Sequence, residues 1–148
     1  MAKQLSYEDK NTGAVFPNSV WLPVGVYIDV SGPNVKIDFL GYKDKAAAAA
    51  VIGTSLGMPN LTKHGSIGSV SYTLSKAEFA ALATATPVGA SVLDVISTVC
   101  YEVAGASAQN THDDPANPAH PDPNDATKTI PAGQLGFFHA AVDVNLFA

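Results

Sequence analysis

Two alternating runs joined by a four-residue turn constrain this chain more than anything else in it. In "VGVYIDV", Val24, Val26, Ile28 and Val30 share one side, and in "VKIDF", Val35, Ile37 and Phe39 do the same. Successive side chains of a strand point to opposite faces, so each run reads as a strand with one buried face. Between them lies "SGPN", Ser31 to Asn34. Its glycine tolerates any φ and its proline presets one, which suits a tight antiparallel hairpin. The pattern predicts Ile28 and Ile37 together in the core.

The flanking segments extend a β-rich reading. Upstream, "TGAVFPNSVW" brings turn residues together with Phe16 and Trp21, whose rings are expected to close one end of the core. Downstream, "GYKDKAAAAA" leaves the hairpin through a polar turn and enters one or two helical turns at the alanines. Val51 to Ser69 is rich in Gly, Ser and Thr and keeps no period, so it reads as a long surface loop, and "SVSYTL" is the next strand. "SKAEFAALATAT" opens with Ser75 and Glu78 in the spacing of a capping box, and its helix is expected to stop before Pro87. Val92, Val95, Ile96, Val99, Cys100 and Val103 recur at helical spacing; their β-branched content competes for a strand, and the helix is favoured. The closing "FFHAAVDVNLF" alternates again, with Phe138, Ala140, Val142, Val144 and Leu146 on one side of an expected last strand. The expected fold is mainly β with one or two helices, in the α+β class: a small antiparallel β-sandwich or barrel-like domain.

Length and composition bound the rest. A chain of 148 residues can bury one real core, and two halves would each be marginal, so a single domain over 1–148 is expected. Only 14% of residues are charged against 47% hydrophobic, which leaves much of the exterior to Ala, Ser, Thr, Asn and Gly and suits a protein surrounded by other protein. A net charge of −5 without any Lys/Arg cluster argues against a nucleic-acid groove, where phosphate neutralisation supplies the affinity. The single cysteine, Cys100, forms no internal disulfide and fits folding in a reducing cytoplasm as a buried small hydrophobe. "MAKQLSYEDK" lacks the apolar core of a signal peptide, and "AAAAAVIG" is far too short to span a bilayer, so neither secretion nor a membrane is expected.

Three stretches resemble chemistry. "GTSLG", Gly53 to Gly57, matches the G-x-S-x-G nucleophile elbow around Ser55, but that elbow needs a strand before it and a helix after it, and "MPNLTKHG" places a proline where the helix would begin. His112, Asp113 and Asp114, with His120 and Asp122, supply metal-ligand residue types without a rigid element to fix them. The same stretch, Thr111 to Pro131, holds five of the chain's ten prolines. Prolines restrict φ and remove backbone donors, so this reads as an extended arm at about 111–131, with Asp113, Asp114, Pro115, Pro118, Pro121 and Pro123 as partner contacts. Such an arm is expected to be removable with little effect on melting. No catalytic, cofactor or metal residues are assigned. His64 and His139 are expected at the surface, the second on the polar side of the last strand.

"TGAVFPNSVW" followed by two strands and "KIDFLGYKDKAAA" resembles a group of small structural proteins of tailed bacteriophages. In that group a T-G-x-x-[FY]-P-N segment leads to an aromatic residue and then to strands ending in G-Y-K-D-K-A-A. The matching residues here are Thr12, Gly13, Phe16, Pro17, Asn18 and Trp21, then Gly41, Tyr42, Lys43, Asp44, Lys45, Ala46 and Ala47. "KTIPAG" and the following "FF" are a weaker echo. The resemblance covers about a third of the chain and implies a non-enzymatic virion component with a small β-rich fold, made in the host cytoplasm. Its expected place is the tail tip, baseplate or fibre-attachment region; a capsid decoration protein on the outer head is the alternative, and a small serine hydrolase using Ser55 the distant one. The implied partners are tail, baseplate or major capsid subunits and further copies of itself. The alanine run, the loop after Val51 and the proline-rich stretch depart from the group's pattern.

Overall fold

A computed structural model describes residues 2–54, 65–106, 109–113, 118–122 and 125–146. In chain order the strands and helices are β1 (Ala2–Glu8), β2 (Val15–Ile28), β3 (Asn34–Tyr42), α1 (Lys45–Thr54), β4 (Ser66–Ser75), α2 (Lys76–Ala83), α3 (Val92–Ala106), β5 (Thr111–Asp113), β6 (His120–Asp122), β7 (Asp125–Ile130), β8 (Gln134–Gly136) and β9 (Val142–Val144). The fold is α+β and mainly β, of the antiparallel sandwich-like class expected. Its five-stranded sheet runs β4-β3-β2-β1-β9, and β5 with β8 and β6 with β7 form two-stranded ribbons. The chain divides into two compact units: Met1–Val26 with Ile37–Ser71 and Ala140–Ala148, and Tyr27–Lys36 with Tyr72–His139.

In the first unit, β1 reaches β2 through a turn in which Gly13 adopts φ 71°, a conformation glycine takes without strain. The Asp9 carboxylate accepts from Asn11 N at 2.9 Å inside this turn. The core holds Ala2, Val20, Leu22, Tyr42, Ala48 and Leu146. Helix α1 starts where Asp44 caps it, its carboxylate accepting from Ala47 N at 2.8 Å. Ala47, Ala48 and Val51 line one stripe of α1 and pack against that core. Strand β9 pairs with Ala2, Lys3 and Gln4, and Lys3 faces Asp143 across the ladder with a 2.8 Å ion pair.

Trp21 is the largest buried side chain of this unit. Its Nε1 donates to Ser19 Oγ at 2.9 Å, and that hydroxyl donates to Leu5 O at 2.7 Å, so the indole and the buried serine are both satisfied. Tyr7 meets the indole edge-on at 5.1 Å and stacks with Phe16 at 6.5 Å. The ring lies against backbone at Gly41, where a Cβ would stand 2.5 Å from Trp21 Cε2. Trp21 closes the core as expected, while Phe16 is only half-buried.

In the second unit, Asp29 N donates to Asn34 O at 3.1 Å and the Asp29 carboxylate accepts from Gly32 N at 2.8 Å, closing the hairpin between β2 and β3. The start of α2 is tied to this turn: Lys76 N donates to Pro33 O at 2.8 Å and Lys76 Nζ to Val30 O at 3.1 Å. The capping box is present, with Glu78 N donating to Ser75 Oγ at 3.1 Å and Ser75 N to Glu78 Oε2 at 3.3 Å. Helix α2 ends at Ala83, before Pro87. Helix α3 confirms the helical reading of 92–103 and buries Val99, Cys100, Val103 and Ala104. Burial pushes the Cys100 thiol up to about 11. Tyr72 and Phe138 are also buried, their ring centroids 6.4 Å apart.

Four expectations need correction. Val35, Ile37 and Phe39 are buried, but Ile28 is 54% exposed and Val30 86%. Alternation shows which residues share a face, not how far a covering layer extends along it, and the tip of the hairpin lies beyond that cover. The expected loop from Val51 to Ser69 begins with the last turn of α1 and ends inside β4, which starts at Ser66; residues 55–64 lie outside the described residues. The closing strand is only Val142–Val144: 137–140 is a turn, so His139 sits in that turn, and Ala140 and Val142 are exposed while Phe138 and Leu146 are buried. Finally, Thr111 to Pro131 is not one unpaired run, because Thr111–Asp113 pairs with Gln134–Gly136 and His120–Asp122 with Asp125–Ile130.

Candidate functional site

The residues assigned to partner contact fall into three groups. Pro118 and Pro121 are described and exposed. Asp113 is described as the last residue of β5, where it pairs with Gln134. Asp114, Pro115 and Pro123 lie outside the described residues. Pro121 stands opposite Thr129 in a two-stranded ribbon, a position where its missing N–H costs no central ladder bond. Asp122 points the other way: it is buried, and its charge joins burial in raising the Tyr72 phenol.

The metal-ligand types do not converge. His120 Nδ1 lies 3.0 Å from Pro118 O, and with Nδ1 as the donor to that carbonyl the ring's lone pair is on Nε2. His112 pairs with Leu135 through the backbone of β5. Among the described residues, no three His, Cys, Asp or Glu side chains come together in a cluster that would hold a metal. Ser55 and His64 lie outside the described residues. What leads into the G-x-S-x-G match is the helix α1, whereas a nucleophile elbow is entered from a strand.

Exposed apolar side chains mark a different kind of surface, one that sequence reading missed. In the second unit, Tyr27, Ile28 and Val30 stand exposed at the hairpin tip, and Lys36 Nζ lies 5.9 Å from the Tyr27 ring centroid. Val88 is fully exposed in the turn after α2, followed by Val92 at 75% and Leu93 at 77% in the first turn of α3. Gly89 holds that turn with φ 84°. Single exposed apolar residues are ordinary, whereas here three fall at each of two turns. By spacing alone Val92 falls on the same stripe as Val95 and Val99, yet it stands exposed at the start of α3, so periodicity did not separate it from the buried residues.

No described helix is long and apolar enough to cross a membrane. No protein family, curated protein or solved structure matches this chain.

Proposed function

We propose that this protein is a non-enzymatic structural component of a tailed-bacteriophage virion, associated with the tail tip, baseplate or fibre-attachment region. The observation that carries the reading is the pair of exposed apolar turns, Tyr27 to Val30 and Val88 to Leu93, on a chain with only 14% charged residues. Such side chains are stabilised when a neighbouring subunit removes them from water. The likeness of "TGAVFPNSVW" and "GYKDKAAA" to phage structural proteins supplies the particle in which those neighbours sit. The partners are then tail, baseplate or major capsid subunits and further copies of the chain.

Gold-labelled antibody on purified virions tests this. Label at the tail end is the expected result. Label over the head moves the protein to the capsid-decoration role, and a particle without label overturns the virion reading. Covalent labelling of Ser55 by a fluorophosphonate in native but not denatured protein makes the protein a hydrolase instead.

A further inference from the structure

The last segment of the chain completes a unit other than the one it follows. Tyr72–His139 belongs to the second unit and Ala140–Ala148 to the first. There Val142, Asp143 and Val144 of β9 stand opposite Gln4, Lys3 and Ala2 of β1. Asp143 meets Lys3 at 2.8 Å, and Leu146 belongs to the buried core that holds Val20, Leu22 and Tyr42, against which Val144 also packs. The segment thus brings a ladder, an ion pair and an apolar anchor, the parts with which a donated strand completes a sheet. Its link to the second unit is short. Phe138 is buried and His139 N donates to Gly136 O at 2.9 Å, so His139, Ala140 and Ala141 are all that separates this anchored turn from the ladder.

We propose that neighbouring copies exchange this segment, β9 and Leu146 of one chain completing the first unit of a second chain while that chain returns its own. The partner is a second copy because the ladder, the ion pair and the seat of Leu146 are the same whichever chain supplies the segment. Contacts within the unit are conserved, so the equilibrium rests on the three linking residues and on concentration. Short connecting segments favour such exchange, because opening them removes the need to turn the chain back on itself. Against it stands the chain's own segment, which its short link holds at β1 with an effective concentration on the order of millimolar. Copies packed as neighbours in an assembly reach that range. The inference deepens the assembly reading and rests on it for what brings the copies together.

Exchanging the charges of the Lys3–Asp143 pair tests this in the purified protein, independently of any virion experiment. Lys3→Asp sets two carboxylates across the ladder, and Asp143→Lys sets two ammonium groups there. Both ion pairs re-form only when a chain of one kind trades segments with a chain of the other. The wild type is expected to pass from monomer to dimer as its concentration approaches about millimolar. In a mixture of the two variants, the dimer isolated by gel filtration and identified by mass spectrometry is expected to hold one chain of each kind in excess of the statistical share. A wild type that stays monomeric throughout overturns the inference. So does a mixture that yields no dimer, or dimers in statistical proportions, since another surface then holds them. If one variant fails to fold alone, a folded heterodimer on mixing supports the exchange and its absence overturns it. Unlabelled virions beside a wild-type dimer and an excess of heterodimer would sink the assembly reading alone.

Discussion

At the scale of residues, Ile28 and Ile37 occupy equivalent places in two alternating runs and yet differ in fate. Ile37 is fully buried and Ile28 is more than half exposed. Ile37→Asp places an unpaired carboxylate in the core, at a cost of several kcal/mol, on the order of the whole stability of a small domain. It is expected to prevent cooperative melting, while Ile28→Asp should melt close to the wild type. Thermal denaturation of the two variants side by side checks this. Gly41 and Trp21 form a second residue-level test. A methyl group at position 41 would meet the indole at 2.5 Å, and the ring is pinned by its bond to Ser19. Gly41→Ala is therefore expected to destabilise by about 1–3 kcal/mol, the usual cost of overpacking a filled core. Gly68→Ala, where the nearest approach is 3.1 Å, should cost less. Urea denaturation midpoints would rank the two.

At the scale of elements, caps and periods were legible because they are local. Ser75 and Glu78 announced the start of α2, and the spacing of Val92, Val95, Ile96, Val99, Cys100 and Val103 announced α3, although Val92 stands exposed at its start. Elements whose existence depends on a distant partner were not legible. Strand β1 is "AKQLSYE", polar along most of its length, and it is a strand because β2 and β9 pair with it on either side. The ribbons β5–β8 and β6–β7 join residues that read as turn and proline punctuation. Nor could the sequence reveal that Gln109 would pair with Thr73, since no spacing rule links residues 36 apart. Helix α3 carries its own pH prediction. The Ser91 hydroxyl donates to Asp94 Oδ2 at 2.8 Å and Ser91 N at 3.1 Å, and these bonds, the hydroxyl's first, hold the Asp94 carboxyl below the usual carboxylate range. A depressed folded-state pKa means the contribution is present above the unfolded value and is lost as pH falls through the folded one. The first turn of α3 should fray on acidification, and in Ser91→Ala the Asp94 carboxyl should titrate at higher pH. The carboxyl carbon shift of Asp94, followed by NMR, reads both.

At the scale of the whole molecule, the proline-rich stretch decides how much of the chain is fold and how much is contact surface. Sequence reasoning expected His112 to Asp125 to be removable with little effect on melting. The structure changes that expectation within the second unit. Strand β6 pairs with β7, Asp122 is buried beside Tyr72, and the ladder continues to the buried Ile130. Excising 112–125 removes β6 and most of the pairing of β5, so the melting temperature should fall. Asp122→Ala alone should cost about 1–3 kcal/mol, the usual range when a buried polar side chain is removed from its partners. Stability and contact can still be separated, because Pro118 and Pro121 are exposed while Asp122 is not. Replacing both prolines by serine keeps the buried carboxylate and loosens only the outward face, raising the entropy lost when that face is laid against a neighbour. The double variant is expected to melt close to the wild type and to enter virions less efficiently, measured by quantitative mass spectrometry of purified particles. Unchanged incorporation would mean that the prolines serve the fold of the ribbon and that neighbouring subunits dock elsewhere on the chain.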